Sequence, residues 1–133
     1  MPDPEILHVS TGNKSAVQKL GPYALEAIIP RDQEVSMTAF RVRIEPNSTT
    51  SVSYHKKAEE LYYVIAGSGT ALLDGKEYPL KAGDFLRLIP GTHHGFVTKD
   101  APLEMLDVHS PGSWPDRDVY FEGEPPAGFS KNS

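Results

Sequence analysis

Three ionisable side chains, His55, Glu60 and His94, stand in apolar stretches where a β-rich chain would ordinarily carry valine or leucine. Taking a carboxylate out of water is costly unless it is paired or ligated. Two neutral imidazoles and one carboxylate form the ligand set that leaves adjacent positions open on a divalent ion such as Fe(II) or Mn(II). An ordinary barrel is the other reading of the same residues, with Glu60 hydrogen-bonded to His94 and the neighbouring tyrosines in the core. Spacing alone leaves both open.

The elements that must position these residues are strands. Residues 35–45 alternate, with Thr38, Phe40, Val42 and Ile44 on one face and Arg41 and Arg43 on the other, the period-two signature of a strand. Residues 49–55 form a β-branched and aromatic run ending at His55, and residues 60–66 form the strongest strand, closed by Gly67-Ser68-Gly69. Residues 70–73 and 76–80 flank Asp74-Gly75, a two-residue hairpin signal that requires positive φ. Residues 85–89, 94–98 and 103–109 supply three further strands. In the arm, residues 25–29 are the clearest edge strand. Beyond Ser110 the chain is proline-rich, and an ordered strap near residues 114–121 followed by a fraying end is expected.

If Glu60 points inward, alternation brings Tyr62 and Val64 with it and leaves Leu61, Tyr63 and Ile65 outside. An inward His94 takes Phe96 and Thr98 and leaves His93 and Val97 outside. The two inward sets enclose a pocket with an apolar floor and a titratable rim, the composition of a small-molecule site. No apolar pattern runs at helical spacing for ten residues. The fold expected is all-β, a sandwich or barrel, with an N-terminal arm over residues 1–34, a core over 35–110 and a strap and tail over 111–133.

Composition narrows the function. A chain of 133 residues suits one domain. It has no cysteine, which removes disulfides, thiolate metal sites and a cysteine nucleophile. A net charge of −5 and a pI near 5.5 argue against nucleic acid or anionic membrane as partner. The opening MPDPEILHVS lacks a basic region and an apolar run, so no secretory leader and a cytoplasmic location are expected.

The spacing of these residues resembles the cupin superfamily (RmlC-like), and in particular its small single-domain members. The first cupin motif is Gly, five residues, His-x-His, three or four residues, Glu, six residues, Gly. Here Asn47, five residues, Ser53-Tyr54-His55, four residues, Glu60, six residues and Gly67 follow it. The second motif is Gly-Asp, four residues, Pro-x-Gly, two residues, His, three residues, Asn. Here it runs Gly83-Asp84, four residues, Ile89-Pro90-Gly91, two residues, His94, three residues, Thr98. The resemblance covers about residues 38–110 and departs at Asn47, Ile89, Thr98 and, most seriously, Ser53, where the family's first histidine would stand. It implies a double-stranded β-helix, two antiparallel sheets facing each other. It also implies one divalent ion (Fe, Mn, Ni or Zn) on His55, Glu60 and His94, with Ser53 at the vacant fourth position.

Motif phase favours His94 over His93 as ligand. His109 reads as a pocket-mouth or surface histidine, with a replacement ligand as its other reading. Tyr54, Tyr62 and His109 are the candidate proton-moving groups, against a core role for both tyrosines. His8 has no assigned role. Two functions are carried forward. The first is a metal-dependent enzyme on a small oxygenated molecule, of dioxygenase, isomerase or lyase type. The second is a non-catalytic sugar- or carboxylate-binding or sensor protein. The outward Leu61, Tyr63 and Ile65 suggest a homodimer.

Overall fold

The computed structural model describes residues 6–12 and 14–129. The first five residues of the arm and the last four of the tail lie outside the described residues. Ten strands form in chain order: β1 (Val17–Leu20), β2 (Tyr23–Ala27), β3 (Thr38–Ile44), β4 (Ser53–Tyr54), β5 (Glu59–Leu73), β6 (Lys76–Lys81), β7 (Phe85–Leu88), β8 (His94–Val97), β9 (Leu103–Ser110) and β10 (Tyr120–Phe121). Two short 3₁₀ turns, Lys14–Ala16 and Arg31–Gln33, are the helical elements among the described residues. None of them is a helix long and apolar enough to cross a membrane. The fold is all-β.

Every strand pairing is antiparallel. One sheet joins β1, β2, β3, β9, β5 and β7, and the other joins β10, β4, β8, β5 and β6. Strand β5 belongs to both. Its first half pairs with β9 and β7, and its second half, from Ser68 or Thr70 onward, pairs with β6 and β8. Expecting Gly67-Ser68-Gly69 to end a strand was therefore incorrect. The chain instead bends there, through a register shift between Val64 and Ala66, and continues into the second sheet. A strand that switches sheets makes the corner of such a barrel. Gly67 adopts φ +83, and a Cβ there would lie 1.8 Å from the Pro102 carbonyl oxygen, so this corner requires glycine.

The Asp74-Gly75 hairpin forms with φ 49 and 81, as its two-residue signal requires. Asn47 likewise takes a left-handed conformation, φ 54. The 49–55 run differs from expectation: within it only Ser53–Tyr54 forms strand, and Thr49 makes an isolated bridge to Val97. The edge strand expected at 25–29 lies two residues earlier and closes a hairpin with β1.

Alternation sets the interior. Phe40, Val42 and Ile44 from β3, Tyr62 and Val64 from β5, Phe96 from β8 and Leu103 and Met105 from β9 are buried together, each apolar side chain stabilising by about 1.5–3 kcal/mol. The strap closes one end of this core. Trp114 packs edge-on against Phe40 at 5.2 Å, and its Nε1–H donates to Glu34 at 2.8 Å. Arg117 grips the same carboxylate with both terminal nitrogens, at 2.6 and 3.0 Å. Glu34 thus ties the arm to the strap.

Candidate metal centre

Four strand-borne or strand-flanking side chains meet at one point of the interior. His55 follows β4, Glu60 lies in β5, His94 opens β8 and His109 lies near the end of β9. Pairing explains the meeting: Glu60 stands opposite His109, and Ser53 opposite His94. All four are almost fully buried. The Glu60 Oε1 lies 3.2 Å from His55 Nε2 and 3.3 Å from His94 Nε2, and its Oε2 lies 2.7 Å from His109 Nε2. Ligand atoms of His55, Glu60 and His109 all fall within 4.8 Å of one another.

The backs of the three rings decide their tautomers. His55 Nδ1 donates to the Asp118 carbonyl at 2.6 Å, and His94 Nδ1 to the Thr92 carbonyl at 3.1 Å. His109 Nδ1 lies 3.3 Å from the Thr38 hydroxyl, whose own proton goes to the Ser113 carbonyl. Each Nδ1 therefore carries a hydrogen, and whenever a ring is neutral its Nε2 faces Glu60 as a bare lone pair. Neither Glu60 oxygen has a hydrogen bond of acceptable direction, although both are buried. Lone pairs facing lone pairs repel, and such an arrangement calls for positive charge between them: protons on the rings, or a metal ion. Histidines that ligate metals are oriented in the same way, through the other ring nitrogen. The donor set fits a divalent first-row ion.

Electrostatics follow the geometry. Burial pushes the Glu60 carboxyl up, but the His109, His94 and His55 imidazoles outweigh it and hold it well below the usual carboxylate range. For His55, burial lowers the pKa, and Glu60 together with Asp118 raises it further, to a net increase. For His94 burial wins and the pKa is lowered. Asp107, whose Oδ2 is 3.7 Å from His109 Nε2, is raised well above the ordinary value by burial and then by the charge of Glu60. Burial likewise keeps the Tyr62 phenol protonated far above its usual range.

The residues expected on sequence grounds do not all arrive here. Ser53, His55, Glu60, Tyr62, His94 and His109 line one cavity. His109 is a correction: it is 5% exposed and sits against Glu60, not at the mouth or the surface, because the Leu103–Ser110 alternation turns it inward. Tyr54 is turned away. Its ring stacks on His93 at 4.3 Å and on Tyr120 at 5.5 Å, so it does not reach the cavity. His93 sits outside, paired with Glu122. Sequence reasoning missed Asp107, Ser113 and Asp118. Asp107 was legible as the inward residue two places before His109. Asp118 gave no signal, although its carboxylate accepts hydrogen bonds from the Lys56, Lys57 and Ala58 N–H groups and its carbonyl orients His55.

A family model described as Cupin domain matches residues 40–109. The oxalate-binding protein of Thermotoga maritima is 33% identical over 69 residues, 51% of this chain and 57% of that protein. The chain spans about half the length of the curated relatives it matches. Among solved structures, a Streptomyces PAC13 variant with uridine superimposes at a TM-score of 0.71 with 20% identity, over 85% of this chain and 88% of that one. KdgF from a Halomonas species gives 0.66 and 18%, over 76% and 90%. At these identities the two structures establish a shared fold.

Proposed function

The chain belongs to the cupin domain family, and from that premise we propose that it is a metal-dependent enzyme acting on a small oxygenated molecule inside the barrel. The carrying observation is the buried Glu60 carboxylate facing three Nε2 atoms at 2.7–3.3 Å without a directed hydrogen bond. His55, Glu60 and His109 would hold the ion, with His94 facing the same carboxylate oxygen. Ser53 stands where a further imidazole would be in the family pattern, and a serine hydroxyl leaves that side open to ligand. A bound ion of this kind polarises a ligand oxygen as a Lewis acid. The protein's own groups do the rest. Asp107 keeps a carboxyl beside the centre in a state that can hold a proton, Tyr62 closes the floor, and the apolar walls exclude water.

The test is elemental analysis of untagged protein after exposure to Mn, Fe, Ni or Zn. About one ion per chain is expected, lost in Glu60→Ala and in His55→Ala or His109→Ala, and retained in His93→Ala. A folded wild-type protein without bound ion, or a Glu60→Ala variant that keeps it, contradicts the metal reading. The Thermotoga relative, named as a binding protein, favours a second reading, a non-catalytic small-ligand protein. Recovery of a bound ligand unchanged after prolonged incubation, followed by NMR, supports that alternative.

The outward face of β5 supports a further proposal, a homodimer. Tyr63 is 45% exposed, and Ile65 and the neighbouring Phe85 are also exposed.

A further inference from the structure

The wall of the cavity beyond the metal centre holds a second buried carboxyl, Asp107, 7% exposed. It faces inward from β9 two residues before His109, and its Oδ1 has no hydrogen-bond partner among the described residues. Leaving a buried acceptor unpaired is costly, so a native site that keeps one calls for a donor from elsewhere. The described lining contains no lysine and no arginine, the side chains that ordinarily receive phosphate or carboxylate groups. Much of the remaining wall is aromatic, Tyr23, Phe40, Trp114, Phe121 and Phe129, interleaved with aliphatic side chains such as Leu25 and Val42, and Phe129 is set edge-on to Tyr23 and Phe121.

We infer that the cavity selects a neutral, hydroxyl-bearing small molecule with a flat, uncharged ring, and that Asp107 is the specificity-determining residue that accepts a hydrogen bond from its hydroxyl. The inference rests on the metal reading above and goes past it, to the class of ligand. One oxygen of the ligand meets the metal centre, a hydroxyl meets Asp107 Oδ1, and the flat part lies among the aromatic rings, where edge and face contacts favour it. A phosphate or second carboxylate held beyond reach of the metal would be buried against Asp107 or against apolar carbon, with no lysine or arginine to pair with, which is strongly unfavourable.

Uridine and uridine 5′-monophosphate share base and ribose and differ at the 5′ position, a hydroxyl in one and an anionic phosphate ester in the other, and serve as probes. The full chain is loaded with cobalt(II), its metal content is measured, and each probe is titrated by calorimetry. Uridine is expected to bind at least about tenfold more tightly than the monophosphate, and 2′,3′-dideoxyuridine about tenfold more weakly than uridine, the usual consequence of one lost buried hydrogen bond. Asp107→Leu should weaken uridine by a similar factor with cobalt content unchanged, and Asp107→Asn, which keeps the acceptor oxygen, should restore binding to within about threefold. The dideoxy arm needs no variant and decides the matter if Asp107→Leu does not fold. Equal or tighter binding of the monophosphate, no binding of uridine, or indifference to the missing hydroxyls overturns the inference. Absence of cobalt uptake overturns the metal reading instead, and the same titrations on the metal-free chain then decide the ligand class separately.

Discussion

Asp118→Ala tests how the strap holds His55. The Asp118 carboxylate accepts from Lys56 N at 2.9 Å, from Lys57 N at 3.2 Å and from the buried Ala58 N at 3.0 Å. Orphaning the Ala58 N–H costs about 1–3 kcal/mol, and the two more exposed amides, which water can reach, about 0.5 kcal/mol each. Asp118 also sits at φ 59, where alanine is less well tolerated than Asp or Asn, at about 1 kcal/mol. The sum is about 3–5 kcal/mol, or a fall of about 10–20 °C in Tm for a domain of this size. Relaxation of that backbone would swing the carbonyl away from His55 Nδ1, and loss of such an outer support lowers metal affinity by about 10- to 100-fold. Thermal unfolding of the metal-free protein and chelator competition on the folded protein measure the two effects. Asp118→Asn, which tolerates the left-handed backbone and keeps one acceptor, should stay within about threefold of wild-type affinity. A fall in Tm with unchanged metal affinity would refute the role assigned to the carbonyl.

Two further outcomes follow from the strap and the outer face. Hydrogen bonds from Arg117 and then Trp114 hold the Glu34 pKa below the ordinary glutamate value, so the Glu34 contribution to stability is complete above the unfolded value and is lost as pH falls through the lowered folded value. Glu34→Gln should therefore reduce Tm at neutral pH and converge with wild type in acid, with the fluorescence of Trp114, the single tryptophan, reporting loosening of the strap; a constant difference across the pH range would contradict this. Tyr63→Glu should convert a dimer to a monomer by light scattering, because the side chain is exposed on the outer face, and a wild-type monomer at micromolar concentration argues against the dimer altogether.

Much of the site was legible in the sequence because strand alternation is local. Glu60 with Tyr62 and Val64, and His94 with Phe96 and Thr98, are buried as a period of two demands. The same rule would have placed Asp107 and His109 inside, but the 103–109 run ends in polar residues and reads equally as a strand reaching the surface. Turn chemistry was legible at Asp74-Gly75, where the strands on either side must reverse. It misled at Gly67-Ser68-Gly69, because a positive φ can serve a bend between sheets as well as a turn, and only the proximity of Pro102 distinguishes them. Asp118 and Glu34 were illegible for a different reason. Their partners are 60 and 83 residues away, a separation no local pattern encodes.

The double membership of β5 has a kinetic consequence. One strand carries Glu60, pairs its first half with the strand bearing His109 and pairs Leu73 with His94, so these side chains come together only after both sheets have zipped onto it. The supporting contacts span 63 residues from His55 to Asp118 and 71 from Thr38 to His109, and closing loops of that length is slow. A centre whose supporting contacts span such separations is expected to form late, after the folding transition state. An ion gripped there would leave the rate of folding almost unchanged and act by slowing escape from the native state, giving a protein whose persistence, more than its speed of assembly, depends on metal supply.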